Sequence, residues 1–143
     1  MPTILVLEDD EDRVATMKIV LAERCGQFRA LFFDNAPETI AWLKENLKDV
    51  ALICLDHDLG PNRQFGDRKF DPGTGRDVVD YLVSQTPYCP VIVHTTNSWA
   101  APGMEIALKE AGWKFSRVIP SADLKWIGTV WVRKLKKFIS AKM

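Results

Sequence analysis

Short apolar runs alternate with segments of helical periodicity along this chain. The runs are continuous rather than alternating, which predicts strands that are buried on both faces of a parallel sheet. There are five of them, at residues 4–7, 30–33, 50–55, 91–93 and 117–119.

Between these runs, apolar residues recur at spacings of three and four, the pattern of a helix that packs one face on a sheet. The five segments contain Val14, Met17 and Leu21; Ile40, Leu43 and Leu47; Val78, Val79, Leu82 and Val83; Met104, Leu108 and Ala111; and Leu124, Ile127, Trp131, Leu135 and Phe138. Alternation of strands and helices predicts an α/β fold, a doubly wound five-stranded parallel sheet with helices on both faces. The flavodoxin-like strand order 2-1-3-4-5 is expected.

Length and composition fit a single domain over residues 1–143. With 47% apolar and 27% charged residues, the chain is not of a disordered or collagen-like type. The longest purely apolar run, 50–55, is far shorter than the roughly 20 residues of a membrane helix. The chain turns acidic at Glu8, which argues against a secretory signal. Three scattered cysteines without a C-x-x-C motif favour a reducing, cytoplasmic location.

The charges cancel to zero but are segregated at the two ends of the chain. A zero net charge argues against a general attraction to DNA or to a membrane. Five acids follow one another at 8–12, whereas every charged residue after Asp123 is basic. The basic face of the last helix is expected to be solvated, with RNA contact as the alternative.

Acidic residues stand where the first and third predicted strands end. Glu8, Asp9 and Asp10 follow the first strand, and Asp56 and Asp58 follow the third. Because these strands are neighbours in the expected order, their carboxylates should converge. Grouped anions need a cation or a proton. An all-oxygen ligand set favours Mg²⁺, with Mn²⁺ or Ca²⁺ as alternatives.

Not all of these acids are equally good candidates for the metal. Asp10 is better explained as the start of the first helix, because acids there complement the helix dipole. Glu8 and Asp9 are the preferred ligands. Asp56 closes a strongly apolar run and is poorly explained as part of a solvated face.

The fourth strand runs into His94, Thr95, Thr96 and Asn97, at the same edge of the sheet. The hydroxyl and amide groups of Thr95, Thr96 and Asn97 could bind the oxygens of a phosphoryl group. Asn97 is explained equally well as a cap or a turn residue. His94 is either a satisfied core histidine or a proton carrier beside the acids.

A long insertion occupies about 59–75. Segments of this length in a compact domain are usually functional lids or disordered loops. Its cations Arg63, Arg68 and Lys69, with Arg76 just beyond, could reach over the acids. Arg63 and Arg76 are candidates to bind phosphate, because a guanidinium binds it through two hydrogen bonds. A merely solvated loop is the alternative.

These features resemble the receiver domain of response regulators over nearly the whole chain. The residues that carry the resemblance are 4–10, Asp56, Gly75, 90–95, 110–112 and Pro120. The resemblance implies that Asp9 binds Mg²⁺ directly, Glu8 binds it through water, and Asp56 is both a ligand and the phosphoacceptor. It also implies that the carbonyl of Asp58 is a further ligand and that Thr95 is the switch hydroxyl.

Two positions depart from the receiver pattern. Receivers carry a Lys just before the Pro that ends the fifth strand, where it pairs with the phosphoryl group, but this chain has Ile119 before Pro120. Receivers also have a Pro four residues after the acceptor Asp, where this chain has Gly60. The usual phosphoryl-binding cation is therefore missing from its place.

Three motifs are more similar to a divergent branch, the cyclic-phosphate processing receiver domains. They lie at 55–60, 74–79 and 94–97. The resemblance implies a domain that handles 2′,3′-cyclic phosphate ends of RNA. In that case Asp56 and a metal would act on a phosphodiester while His94 or His57 relays a proton, and the partner is an RNA end or a phosphorylated small molecule.

The other function that stays open is a stand-alone signalling receiver. Its state, set by phosphorylation of Asp56 or by metal, would be read by a partner protein. Thus a metal-dependent phosphoesterase and a non-enzymatic switch are both compatible with the sequence.

Overall fold

The computed structural model describes residues 1–65 and 67–140. The side chains of 63–65 and of 68 lie outside the description. The strands are β1 (Thr3–Leu7), β2 (Arg29–Phe33), β3 (Val50–Leu55), β4 (Arg63–Phe65), β5 (Arg68–Phe70), β6 (Val91–His94) and β7 (Phe115–Val118). The helices are α1 (Glu11–Arg24), α2 (Ala36–Asn46), α3 (Gly75–Leu82), α4 (Ala101–Glu110) and α5 (Val132–Ser140). A 3₁₀ turn, Leu47–Asp49, follows α2, and a π-helical turn, Ile127–Trp131, precedes α5.

The five long strands form one parallel sheet in the order β2-β1-β3-β6-β7. Since β4 and β5 belong to the insertion, this is the order 2-1-3-4-5 predicted for the five core strands, and the prediction is confirmed. Leu7 is level with Phe33 on one side and with Leu55 on the other. Strands β1 and β3 therefore end side by side, and the residues that follow them meet at one edge.

Helices cover both faces of the sheet, as predicted, because alternate strand residues point to opposite faces. On one face, Leu5, Leu7 and Ile53 pack in a core with residues of α2, α3 and α4. On the other face, Ile4 and Val6 pack in a second core with residues of α1, of the π-helical turn and of α5. Alternate residues of β1 thus pack in different cores.

The last strand and helix differ from the sequence prediction. Strand β7 ends at Val118, before the predicted end at position 119, and Ile119 is 66% exposed. Leu124, predicted as the first apolar position of the last helix, is exposed, whereas Ile127 and Trp131 are buried. The apolar stripe of this helix therefore begins one turn later than the spacing suggests.

The insertion is not wholly irregular. Strands β4 and β5 pair as an antiparallel hairpin, and Asp58 forms a β-bridge with Thr74 at its base. All three cysteines are buried and free of disulfides. Among the described residues, no helix combines the length and the apolar character needed to cross a membrane.

Candidate functional site

Three carboxylates meet at the ends of β1 and β3. One oxygen from each of Glu8, Asp9 and Asp56 lies within 4.8 Å of the others. Glu8 and Asp56 are only 1% and 6% exposed, and Asp9 is half-buried. The backbone N–H of Asp56 donates to the carbonyl of Leu7 at 3.0 Å, which holds the two strand ends together. The convergence of acids expected from the strand order is present.

The backbone just after each strand fixes the buried carboxylates. Oε2 of Glu8 accepts hydrogen bonds from the N–H groups of Asp9 and Asp10, at 3.0 and 3.1 Å. Oδ1 of Asp56 accepts from the N–H of His57 at 2.7 Å. The second oxygen of each carboxylate, Oε1 of Glu8 and Oδ2 of Asp56, faces the arginine described below. The site is thus organised before any ligand arrives.

Two glycines allow the loops to approach the acids. A Cβ on Gly75 would lie 1.9 Å from the carbonyl oxygen of Asp56, a distance no side chain tolerates, so α3 can begin here only with glycine. Gly60 has a φ of 77°, and its Cβ would lie 3.0 Å from Oδ2 of Asp9. The loop after β3 therefore closes tightly on the acidic cluster.

A cation reaches the acids from α1. Nη1 of Arg13 lies 3.3 Å from Oε1 of Glu8, to which it donates, and 3.9 Å from Oδ2 of Asp56. Its guanidinium carbon lies 5.5 Å from the centre of the Trp126 ring, within range of a cation–π contact. The sequence patterns described above predict no role at the site for Arg13 or for Trp126. The available signal was spacing, since Arg13, Met17 and Leu21 share one stripe of the helix.

His94, at the end of β6, is completely buried beside the acids. Its Nε2 is 3.2 Å from Oε1 of Glu8, but within the described part of the chain neither ring nitrogen has a partner in hydrogen-bond geometry. The ring packs on that of Trp126, with centroids 6.0 Å apart. His94 is thus a buried polar group that faces the cluster and has unused hydrogen-bonding capacity.

The two buried acids Glu8 and Asp56 have pKa values shifted in opposite directions, because their partners differ. Burial raises the pKa of Asp56 to about 8, and the negative charge of Glu8 adds to the rise. Burial also acts to raise the pKa of Glu8, but His94, the Asp10 N–H and Arg13 outweigh it and lower that pKa to about 2. Burial and the charge of Glu8 raise the pKa of Asp9. Without a metal, the proton of the cluster therefore resides on Asp56 at neutral pH.

The residues after β6 tie their loop together. Oγ1 of Thr95, which is buried, accepts from the N–H of Asn97 at 3.1 Å. Oδ1 of Asn97 accepts from the N–H groups of Trp99 and Ala100, so its side chain closes the turn that leads into α4. Thr96 is exposed. The structure shows the turn alternative for Asn97, and its amide nitrogen faces the β3 loop.

That β3 loop carries the other two candidate residues. Nδ2 of Asn97 lies 3.2 and 3.3 Å from the two carboxylate oxygens of Asp58 and 3.4 Å from Nδ1 of His57. Nδ1 of His57 is 2.9 Å from Oδ1 of Asp58. The Asp58 side chain is therefore engaged with His57 and Asn97, which leaves its backbone carbonyl as the group for the ligand role that the resemblance implies.

The two arginines expected to bind phosphate have different outcomes. Nε of Arg76 donates to Oδ1 of Asp80 at 2.8 Å, one turn along α3, so its observed ion pair is with a surface acid. Arg63 belongs to β4, and its side chain lies outside the described residues. The described contact of Arg76 does not place it at the acids, and the prediction for Arg63 stays untested.

Comparison with known families decides among receiver types. The model of the cyclic-phosphate processing receiver domain matches residues 4–110, a span that includes β1, β3, β6 and all the acids described above. The chain belongs to this family. A search of the curated proteins found no match.

Solved structures confirm the receiver fold. The phosphorylated cyanobacterial phytochrome response regulator RcpA is 17% identical, with a TM-score of 0.71 over 99% of this chain and 96% of its own. The receiver domain of HemR from Leptospira biflexa is 22% identical, with a TM-score of 0.68 over 98% and 95%. The Mn²⁺-bound response regulator Rcp1 is 20% identical, with a TM-score of 0.69 over 96% and 94%. At these identities the likeness concerns the fold.

Proposed function

We propose that this receiver domain binds a divalent cation through Glu8, Asp9 and Asp56 and handles a phosphoryl group at Asp56. The observation that carries the proposal is that three carboxylates from two neighbouring strands lie within 4.8 Å of one another. Their donors are all oxygen, which favours Mg²⁺, with Mn²⁺ and Ca²⁺ as alternatives. The Mn²⁺-bound form of the similarly folded Rcp1 supports a divalent ion.

The protein groups have separate tasks in this proposal. Glu8 is ionised and fixed by two backbone N–H groups, so it supplies a permanent negative charge. Asp56 uses Oδ1 for the N–H of His57, which leaves Oδ2 to approach a ligand. When bound, the ion would neutralise these oxygens and polarise the phosphoryl group. Asp58, by its carbonyl, is a further proposed ligand.

We infer that the substrate is a phosphate ester at the end of an RNA. A 2′,3′-cyclic phosphate is the preferred candidate. The family's description, cyclic-phosphate processing, supports this class. Water can attack phosphorus directly, or Oδ2 of Asp56 can attack first and water then hydrolyse the aspartyl phosphate. In both routes an O–P bond forms and the bond to one ribose oxygen breaks; that oxygen leaves with its electron pair and takes up the proton that water releases. His57 is the more accessible proton donor, since its side chain is 16% exposed and His94 is fully buried.

A signalling role without catalysis is the second candidate. Trp99 is 95% exposed and Ile119 is 66% exposed. Trp99 follows β6, which pairs with β3, and Ile119 follows β7, the next strand out. A surface of this kind gives a partner protein something to read when the acidic end changes state. The candidate shares the metal and Asp56 with the first proposal but requires no turnover.

One set of incubations separates the two candidates. The protein is incubated with Mg²⁺ and a nucleoside 2′,3′-cyclic phosphate, and chromatography measures how much of the cyclic phosphate is hydrolysed. A parallel sample receives Mg²⁺ and acetyl phosphate, and its mass is measured. Turnover that is lost in Asp56→Asn supports the enzyme, whereas a stable acyl-phosphate mass gain without hydrolysis supports the switch.

The matched control is Asp49→Asn. Asp49 is also an aspartate next to β3, but it lies in the 3₁₀ turn at the opposite end of that strand. Like Asp56→Asn, the substitution replaces one carboxyl group by an amide, and it leaves the acidic cluster intact. Equal effects of the two variants would refute a specific role for Asp56.

A further inference from the structure

The end of β7 does not supply the cation that a phosphoryl group beside Asp56 requires. Receivers place a Lys there, whereas this chain has Ile119, which is 66% exposed beyond the end of the strand. A phosphoryl group carries up to two negative charges and would lie among buried carboxylates. A single divalent ion leaves such a cluster anionic, so a protein cation should be within reach.

The first turn of α1 provides that cation. Asp10 caps the helix by accepting from the N–H of Arg13 at 3.0 Å, and this sets where the Arg13 side chain begins. Arg13 then extends along the stripe that buries Met17 and Leu21, and its guanidinium reaches Oδ2 of Asp56 at 3.9 Å. Its side chain is 21% exposed, so the charge is partly shielded from water and remains strong.

The guanidinium has donors to spare. Within residues 1–65 and 67–140, the side-chain hydrogen bond and both ion pairs of Arg13 involve a single nitrogen, Nη1. A guanidinium carries five N–H donors in a planar fork that matches two oxygens of a phosphate. Trp126 supports it from the side, at 5.5 Å from the ring centre. The guanidinium is therefore held beside the acids and still has N–H donors available for a phosphoryl group.

We propose that Arg13 is the phosphoryl-binding cation of this domain and that it acts from α1 in place of the receiver Lys. The inference rests on the proposed function, since it assumes a phosphoryl group beside Asp56. A group bound at Oδ2 of Asp56 exchanges the 3.9 Å ion pair for direct hydrogen bonds from the guanidinium to phosphoryl oxygens. Trp126 and the cap at Asp10 position Arg13 for that exchange.

A second arginine, Arg117, contacts the loop after β6, and its contacts point to a different task. Its Nη2 donates to the carbonyl of Thr95 at 3.4 Å, and its own carbonyl accepts from Nζ of Lys134 at 2.7 Å. Both bonds tie backbone segments together. Arg117 therefore supports the loop after β6, whereas Arg13 contacts the carboxylates themselves.

Two titrations test the proposal in the intact chain. The first measures Mg²⁺ affinity by calorimetry. The second measures, at saturating Mg²⁺, the affinity for beryllofluoride, a tetrahedral analogue of a phosphoryl group. The variants are Arg13→Met, which removes the charge and keeps much of the length, and Arg13→Lys, which keeps the charge. Arg24→Met is the matched control, because Arg24 is an exposed arginine in the last turn of the same helix.

We expect Arg13→Met to bind beryllofluoride about 10-fold more weakly or worse, since it loses charge-assisted hydrogen bonds. Its Mg²⁺ affinity should be equal or higher, because a cation beside the metal ligands is gone. Arg13→Lys should restore part of the loss, and Arg24→Met should behave as the wild type.

The failures of the two proposals are distinct. If the wild type binds Mg²⁺ and beryllofluoride but Arg13→Met retains full beryllofluoride affinity, Arg13 is only a counter-ion of the metal-free acids and the inference is overturned. If the wild type binds no Mg²⁺, the proposed function is overturned and the inference falls with it. Thermal unfolding of each variant confirms that it is folded.

Discussion

The run of five acids after β1 divides into two parts with opposite environments. Glu8 is buried and Asp9 half-buried, whereas Asp10, Glu11 and Asp12 are exposed. The exposed part begins α1, where Asp10 caps the helix and the next two acids lie in its first turn. The buried part belongs to the carboxylate cluster with Asp56. Residues of the same chemistry, adjacent in sequence, thus have different surroundings.

Burial, and not charge density, separates the acids of the proposed metal site from those that only begin α1. An exposed acid in the first turn of a helix is mildly favourable through the helix dipole, by a few tenths of a kcal/mol to about 1 kcal/mol. A buried acid beside two others is unfavourable unless a cation or a proton compensates it. In this protein the compensation comes from Arg13 near Glu8 and from the raised pKa of Asp56. A divalent ion can take over both tasks, because it can neutralise Glu8 in place of Arg13 and Asp56 in place of the proton.

The strongest test of this division compares Asp9→Asn with Asp12→Asn. Each substitution removes one negative charge from the same five-residue run. We expect Asp9→Asn to lower Mg²⁺ affinity roughly 100-fold, because it removes an anionic oxygen donor from the cluster. Asp12→Asn should change it less than about twofold, since exposed charges are screened. Calorimetric titration measures both, and similar losses would mean that the run attracts Mg²⁺ only through its total charge.

The next test uses the pH dependence of stability without metal. The pKa of Asp56 is raised in the folded protein to about 8, so between about pH 4 and 8 the folded state holds a proton that the unfolded state has released. The stability contributed by that proton is present at low pH and is lost as pH rises through this window. We expect the free energy of unfolding to decrease by about 2 kcal/mol between pH 5 and 8. This is less than the whole pKa shift of Asp56 would give.

Asp56→Asn is the control for this pH test, because it cannot ionise. Denaturant unfolding should show that the variant lacks most of the decrease and is the more stable protein at pH 8. Saturating Mg²⁺ should reverse the slope in the wild type, since the ion binds the ionised carboxylates. A wild-type curve parallel to that of Asp56→Asn, in the absence of metal, would show that Asp56 is ionised throughout.

Most of the fold could be predicted from the sequence, because the central strands have a clear apolar pattern. β1, β3 and β6 lie in the middle of the sheet, and their continuous apolar runs have no other stable location. Strand β7 is an edge strand that mixes Ser116 and Arg117 with apolar residues. The apolar signal there is weak, and the prediction was consequently displaced toward Ile119.

The acids of the site could be predicted, but the cation between them could not. Glu8, Asp9 and Asp56 follow strands whose order was predictable, so their meeting followed from topology. Arg13 looks like an ordinary charged residue of a first helical turn. Its one distinguishing feature is that it lies one turn before Met17, on the buried stripe of the helix. Whether its side chain points toward Glu8 depends on its rotamer, which residue spacing does not predict. Arg63 stays untested, since its side chain is outside the described residues.

The smallest expected effect comes from the exposed part of the acidic run. Asp10→Ala removes the carboxylate that accepts from the N–H of Arg13, and the loss of a helix cap should lower the free energy of unfolding by about 1 kcal/mol. The backbone N–H of Asp10, which donates to Glu8, is retained in the variant. Mg²⁺ affinity should therefore stay within about twofold of the wild type, and Glu11→Gln should have a still smaller effect on stability.

Asp10→Ala also tests how sharply the run is divided. The cap sets the first turn of α1, and Arg13 lies in that turn, so a frayed helix start would displace the guanidinium from Oε1 of Glu8. Denaturant unfolding and the beryllofluoride titration, carried out on the same variant, separate the two consequences. We expect a combined loss of stability and of beryllofluoride affinity, because the cap positions Arg13. Lower stability with unchanged beryllofluoride affinity would mean that Arg13 reaches the acids without the cap.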